Sequence, residues 1–195
     1  GQQNRMYICQ PAAKGKGGEK CGSNDADEYR MFLEGVAAGA VAKSYGMEQL
    51  GFWNKVVKHP AYDAFWQDQA VDKVLAREPV TVPTMLVASQ WDQEDIYGAF
   101  AVYHAMKEHD ADHRLFLTVG PWFHGQEVRD GSSLGAVKFG SDTSLYFREH
   151  ILRPFLAHYL KDAPATIPQV NAFVTGENRW ESGSAWPLSP TTAVR

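Results

Sequence analysis

Two residues of complementary chemistry stand out: Asp92, within the run WDQED, and His124, within GPWFHG, 32 residues apart. A carboxylate that accepts the Nδ1 hydrogen of an imidazole fixes its tautomer. It also stabilises the imidazolium formed when Nε2 takes a nucleophile's proton. Asp92 and His124 are therefore two thirds of a hydrolytic triad. The third member, a serine on a G-x-S-x-G elbow between a strand and a helix, is expected before the acid and the base. No such elbow precedes Asp92. One G-x-S-x-G does occur, Gly131–Ser132–Ser133–Leu134–Gly135, but it follows His124 and lies in a polar, turn-like stretch with no apolar strand before it. Ser133 therefore reads as part of a surface loop.

Glu94 and Asp95 follow Asp92 closely, and three acids within WDQED repel one another unless a cation, a metal or bulk water compensates. Two readings stand side by side: a cation site beside the catalytic acid, or a solvated helix start whose dipole the acids complement. Neither reading calls for a metal. His109 and His113 have i, i+4 spacing, yet EHDADHR is polar throughout and reads as a solvated helix end. Cys9 and Cys21 lack a C-x-x-C partner, so zinc is not expected, and a disulfide and two free thiols remain alternatives. GKGGEKCGS lacks the spacing and the preceding strand of a phosphate loop. No cofactor is expected.

The elements that must position Asp92 and His124 can be read from hydrophobic periodicity. Residues 1–24 are a Gly- and Lys-rich lead-in. Residues 25–76 form a helical block: Tyr29, Phe32, Leu33 and Val36 recur at helical spacing from a cap at Asp25 or Asp27. Further helical pieces fall at Val41–Tyr45, at Phe52–Lys58 and from Pro60 onward, the last with Tyr62, Phe65, Trp66, Ala70, Val74 and Leu75 on one face. The apolar run Thr84–Ala88 then predicts a strand buried on both faces. Ile96, Ala99, Phe100, Tyr103 and Met106 predict a helix, and Leu115–Val119 a second strand. Such a βαβ unit makes the strands parallel and brings WDQED and GPWFHG to the same sheet edge, where ligands collect in open α/β sheets. A helix kinked by Pro154 is predicted from Thr143 to about Leu160. An alternating strand at Val170–Val174 then reads as the opening of an antiparallel domain. Two strands, a helical block and one isolated further strand do not close a domain, so the chain is expected to be part of a longer catalytic region.

Composition narrows the partners. With 195 residues, 44% hydrophobic and 12% aromatic, the chain can bury a core. A net charge of −4 offers no electrostatic reason to bind nucleic acid or an anionic membrane surface. No apolar run approaches the roughly 20 residues of a membrane-spanning helix, and GQQNR is not a signal peptide, so a mature or internal start is expected.

Through HPAYDAFWQ, WDQED, GPWFHG and TGENRW, which occur in the family's order within residues 25–187, the chain resembles the α-amino acid ester hydrolases. These belong to a larger group with cocaine-esterase-like enzymes, glutaryl acylases and Xaa-Pro dipeptidyl peptidases. The resemblance implies the α/β class and the C-terminal portion of an α/β-hydrolase fold. It assigns residues 1–80 to a helical cap, 81–165 to the end of the hydrolase domain and 166–195 to the first strand of a jelly roll. It makes Asp92 the triad acid, His124 the general base, and Glu94 and Asp95 two members of a carboxylate cluster that binds the substrate's α-ammonium group. The nucleophilic serine, the oxyanion donors and a third cluster acid are expected upstream of Gly1. Phe123 departs from the pattern, since these hydrolases often carry Arg there.

The implied substrate is a small amino acid ester or amide, extending to β-lactam amides with an α-amino acyl group. A homo-oligomeric complete enzyme, a periplasmic or secreted location and an inactive isolated chain are implied as well. The rival readings are a dipeptidyl-peptidase or glutaryl-acylase-like activity, a non-catalytic fragment or partner-binding module with exposed strand edges, and a glycosidase using Asp92 and Glu94. The near-adjacent spacing of that last pair gives no assurance of the roughly 5–9.5 Å carboxyl separation that glycosidase chemistry uses.

Overall fold

A computed structural model describes residues 33–44 and 46–189. The lead-in over 1–24, Cys9 and Cys21, and the helix cap at Asp25 or Asp27 lie outside the described residues. The chain divides into two units, Gly1–Gln67 and Asp68–Arg195, and each is described by itself.

In the first unit, helices Ala38–Ser44, Gly51–Lys58 and Ala64–Gln67 are joined by short turns, one of them the 3₁₀ segment Met47–Gln49. The helix expected from Pro60 begins instead at Ala64. Asp63 sets that start, because its Oδ1 accepts the Phe65 N–H at 3.0 Å and its Oδ2 meets His59 Nδ1 at 2.7 Å. The Trp66 indole donates to the His59 carbonyl at 2.7 Å, and the His59 and Phe65 rings stack with centroids 4.4 Å apart. HPAYDAFWQ is thus a self-closing turn. The continuous apolar face expected through Leu75 is interrupted, and helix Val71–Leu75 is a separate element of the second unit.

The second unit is built on a four-stranded sheet. Strands β1 (Thr84–Ser89), β2 (Leu115–Gly120), β5 (Val170–Val174) and β6 (Arg179–Gly183) lie in that order. The hairpin strands β3 (Ser133–Leu134) and β4 (Val137–Lys138) form a small second sheet. β1 and β2 are parallel, in register from Thr84 opposite Leu115 to Ser89 opposite Gly120. Every residue of β2 is buried, as its unbroken apolar run requires. Leu115, Leu117 and Val119 face Tyr103 and Met106 of helix Gly98–Lys107. Phe116, on the opposite face, packs edge-on against Phe155 at 5.2 Å and near Tyr159 at 5.9 Å, both from helix Arg153–Lys161. Helices on both faces of a mainly parallel sheet define the α/β class. Each fully buried Leu or Phe contributes roughly 1.5–3 kcal/mol.

Three expectations need correction. Val170–Val174 is not an isolated strand: β5 pairs in parallel with β2, and β6 returns antiparallel to β5. The misleading signal is Asn171, which looks like the polar half of an alternating pattern. It is buried, and its Oδ1 accepts the Ser182 hydroxyl at 2.7 Å, so the strand is covered on both faces. β1 is more exposed than its sequence predicts, with Val87 at 37%, because it is the edge strand of the described sheet. The helix from Thr143 is not a simple kinked α-helix. It runs as α-helix Thr143–Tyr146, π-helix Phe147–Leu152 and α-helix Arg153–Lys161. Pro154 has no N–H to donate and crowds the carbonyl four residues earlier, and the wider π turns just before it absorb that misfit.

The start of this helix braces the segment that follows β2. Asp142 accepts the N–H groups of Ser144 and Leu145, at 3.1 and 2.9 Å, and also that of Gly131 at 2.9 Å. Thr143 Oγ1 accepts the Trp122 indole hydrogen at 2.9 Å and donates to the Gly131 carbonyl at 2.8 Å. Trp122 and Thr143 are both completely buried. Thr143→Val keeps the shape but strands the indole N–H, and should lower stability by about 1–3 kcal/mol. An unchanged urea midpoint would show that Thr143 does not hold this segment.

Candidate active site

The ladder between β1 and β2 continues past the strands. The Gln90 N–H donates to the Gly120 carbonyl at 2.9 Å, and the Trp91 N–H to the Trp122 carbonyl at 3.0 Å. These bonds hold WDQED and GPWFHG side by side at the carboxyl end of the sheet, where ligands bind in open α/β folds.

Asp92 and His124 meet there. Asp92 Oδ2 lies 3.0 Å from His124 Nδ1, while Oδ1 accepts the N–H groups of Glu94 and Asp95 at 2.8 and 3.0 Å. One carboxylate oxygen thus folds its own loop and the other orients the ring. With an ionised acceptor at Nδ1, that nitrogen carries the hydrogen and Nε2 is the basic nitrogen of the neutral ring. The Asp92 side chain is 11% exposed and that of His124 is 43% exposed, so the acid is sheltered and the base is open.

The electrostatics follow from these contacts. Burial pushes the Asp92 carboxyl up, but the Asp95 and Glu94 N–H groups and the His124 ring together outweigh it and hold the group below its ordinary value of 3.8. His124 is raised above its ordinary 6.5, first by the hydrogen bond to Asp92, against desolvation, and then by the negative charges of Asp92, Glu94 and Glu127.

Glu94 and Asp95 stand in different positions. Glu94 Oε2 lies 3.8 Å from His124 Nε2, on the open side of the ring. Asp95 Oδ1 accepts the Gly98 N–H at 2.6 Å, the first of helix Gly98–Lys107. Asp95 thus serves the helix start, and Glu94 faces the imidazole of His124. Trp91, Ile96 and Tyr97 expose apolar surface in the same loop. Among the described residues no group of three or more His, Cys, Asp and Glu could hold a metal ion. His109 and His113 are exposed.

Ser133 is placed in no elbow. It begins the two-residue strand β3 of a hairpin whose turn includes Gly135, at φ 55°. The glycines of this G-x-S-x-G have structural reasons. A Cβ on Gly131 would sit 2.6 Å from the Ser144 backbone nitrogen, so the chain can pass the helix start there only without a side chain.

Sequence reasoning passed over two glutamines. Gln126 is buried. It takes the Phe123 N–H at 3.2 Å and donates to the carbonyls of Asp130 and Ser133 at 3.0 and 2.8 Å, closing the loop that presents His124. Gln93 Oε1 accepts the His124 N–H at 3.4 Å. A neutral amide beside each motif was the available signal, but glutamine is common on surfaces and its burial leaves no periodic trace.

The fold is of the α/β class, with a carboxylate–imidazole pair at the carboxyl edge of its parallel strands. Residues 9–126, which include both members of that pair, match the family described as X-Pro dipeptidyl-peptidase (S15 family), and the chain belongs to that family. It is 29% identical over 143 residues to a cocaine esterase of Rhodococcus sp. (strain MB1 Bresler), covering 71% of this chain and 23% of that protein. Two solved structures are also similar. An α-amino acid ester hydrolase labelled with selenomethionine gives a TM-score of 0.79 at 49% identity, over 83% of this chain and 27% of the other. An aminopeptidase from the marine sediment archaeon Thaumarchaeota archaeon gives 0.81 at 46%, over 86% and 28%. The chain therefore spans about a quarter of the length of these relatives.

The pair should be visible in its pH response. Because His124 is raised, the contact with Asp92 contributes stability that is full below the ordinary histidine value of 6.5 and lost as pH rises through the folded-state value. Because Asp92 is lowered, its contribution is present above 3.8 and lost as pH falls through its own folded-state value. An NMR titration should place the His124 midpoint above 6.5, and Asp92→Asn should move it down. Identical titration curves for the two proteins would show that the contact does not form in solution.

Proposed function

We propose that this chain supplies the acid and the base of a serine hydrolase that cleaves α-amino acid esters, extending to β-lactam amides with an α-amino acyl group. The observation that carries the reading is the Asp92–His124 contact at 3.0 Å with a further carboxylate, Glu94, on the open side of the imidazole. The solved α-amino acid ester hydrolase, 49% identical where it overlaps, lends it support. In this reading a serine contributed by a segment upstream of Gly1 attacks the substrate carbonyl. His124 Nε2 takes the serine proton and returns it to the leaving alcohol or amine, leaving an acyl-serine. Water or an amine nucleophile then accepts the acyl group, again with His124 as base. Asp92 keeps the tautomer, and Glu94 and Asp95 select an ammonium group beside the scissile carbonyl. A helical cap over residues 1–80, a hydrolase segment over 81–165 and the start of a jelly roll over 166–195 belong to the same proposal.

A dipeptidyl-peptidase reading is favoured by the description of the matching family. An α-amino group is common to both substrate classes, so the readings differ in the bond cleaved. Turnover of an α-amino ester against that of a dipeptidyl-proline amide separates them.

In the complete enzyme Asp92→Asn should lower turnover about 10⁴-fold through tautomer loss, and near-normal turnover would remove Asp92 from this role. Glu94→Gln and Asp95→Asn should each reduce the ratio of kcat/KM for α-amino over des-amino esters. A ratio that stays constant in both variants would eliminate the ammonium site.

A further inference from the structure

We propose that Gln126 is a positioning residue for the general base: its side-chain amide and its own backbone fix the turn that carries His124, so that the imidazole reaches Asp92 with its hydrogen on Nδ1. The inference rests on the reading of His124 as base and adds a neutral residue that acts through the ring.

The ring needs such a hold. The His124 side chain is 43% exposed, so packing alone does not restrain it, and its Nδ1 lies 3.0 Å from Asp92 Oδ2. Where the ring stands is then decided by the partner it reaches and by the backbone from which it projects. That backbone is gripped at both ends of the Phe123–His124 peptide. The Phe123 carbonyl accepts the Gln126 N–H at 3.0 Å, and the His124 N–H donates to Gln93 Oε1 at 3.4 Å. One peptide earlier, the Phe123 N–H donates to Gln126 Oε1 at 3.2 Å. Gln126 thus holds Phe123 twice, once with its main chain and once with its side chain, across the turn that Gly125 makes at φ 78°. Its Nε2 donates to the carbonyls of Asp130 and Ser133, and its carbonyl accepts the Ser144 hydroxyl at 2.9 Å. The His124 turn is therefore tied to β3 and to the first turn of the helix from Thr143.

An amide does this with one side chain because it offers an acceptor to an N–H and two hydrogens to two carbonyls. A carboxylate would face the same carbonyls with no hydrogen to give, and a thioether of similar length would fill the space without these bonds. Gln126 is 3% exposed, so water does not replace the bonds it loses. Hydrogen bonds weaken steeply as they are misaligned, and a displacement of about 1 Å near the reacting groups costs about 10²-fold in rate. The charged groups that face the ring are Asp92 and Glu94 from the loop after β1, and Glu127 from the 3₁₀ turn Gln126–Val128. Replacing a neutral Gln126 removes none of these charges, so a change at His124 reports a change of place.

The test follows the His124 ring nitrogens by NMR across a pH titration of the full chain, in the unmodified protein, Gln126→Met, Asp92→Asn and the double variant. Gln126→Met should reduce the share of neutral ring that carries its hydrogen on Nδ1 and move the midpoint down towards 6.5. In the Asp92→Asn background it should move the midpoint little further, because the contact through which it acts is already gone. Asp110→Asn is the stability control. Asp110 is buried and accepts the Arg114 and Leu115 N–H groups at the start of β2, the end away from the site. That variant should lower the urea midpoint and leave the His124 tautomer unchanged. Gln126→Asn, one methylene too short to span the same partners, carries the same expectation and serves where Gln126→Met does not fold. A tautomer and midpoint unchanged in a folded Gln126 variant overturn the proposal. So does an equal effect from Asp110→Asn, or an undiminished further shift in the double variant. In the complete enzyme Gln126→Met should lower kcat about 10²-fold with KM little changed. A displaced ring with undiminished kcat removes His124 from the role of base, which is a failure of that reading and not of the hold that Gln126 has on the ring.

Discussion

The candidate site depends on the parallel pairing of β1 with β2 and on its continuation beyond the last ladder residues. Two strands in register bring their ends to the same height, but they do not by themselves bring two loops into contact. The bonds from Gln90 to Gly120 and from Trp91 to Trp122 do that, and only then can Asp92 reach across to His124. Everything downstream follows from this seam. The buried strand β2 gives it a rigid floor, and the indole of Trp122, bonded to Thr143, fixes the far side.

Asp92 is the hinge between folding and chemistry. A carboxylate with both oxygens on the imidazole would leave the N–H groups of Glu94 and Asp95 without this acceptor. One with both oxygens on the backbone would leave the ring free to rotate. The observed division, Oδ1 to the turn and Oδ2 to the ring, makes the loop geometry and the ring orientation one arrangement. It also offsets the burial that would otherwise raise Asp92.

Much of this was legible in the sequence, because it rests on features that leave a pattern. The unbroken apolar runs at Thr84–Ala88 and Leu115–Val119 announced parallel strands, and the acid and imidazole just beyond them followed from that placement. What was illegible depends on individual partners. Asn171 reads as solvent-facing until Ser182 is found opposite it. The helix expected from Pro60 yields to a cap at Asp63, since an acceptor on the Phe65 N–H decides where the turns begin. Gln126 carries no periodic signal, yet it ties together the loop that presents His124. The late G-x-S-x-G is the reverse case: a pattern is present, but its glycines answer to a close approach and a hairpin turn.

The unequal positions of Glu94 and Asp95 bear on how such a site can evolve. Asp95 is bonded to the first turn of the helix Gly98–Lys107, which packs on β2, so a change of its chemistry also changes the fold. Glu94 gives its backbone N–H to Asp92 Oδ1, a bond that survives any substitution that leaves the loop path intact. Drift and selection are therefore unevenly constrained at two adjacent positions. New side-chain chemistry at this sheet edge would be gained most readily by exchanging residue 94 and repaired, when it costs stability, elsewhere than at residue 95.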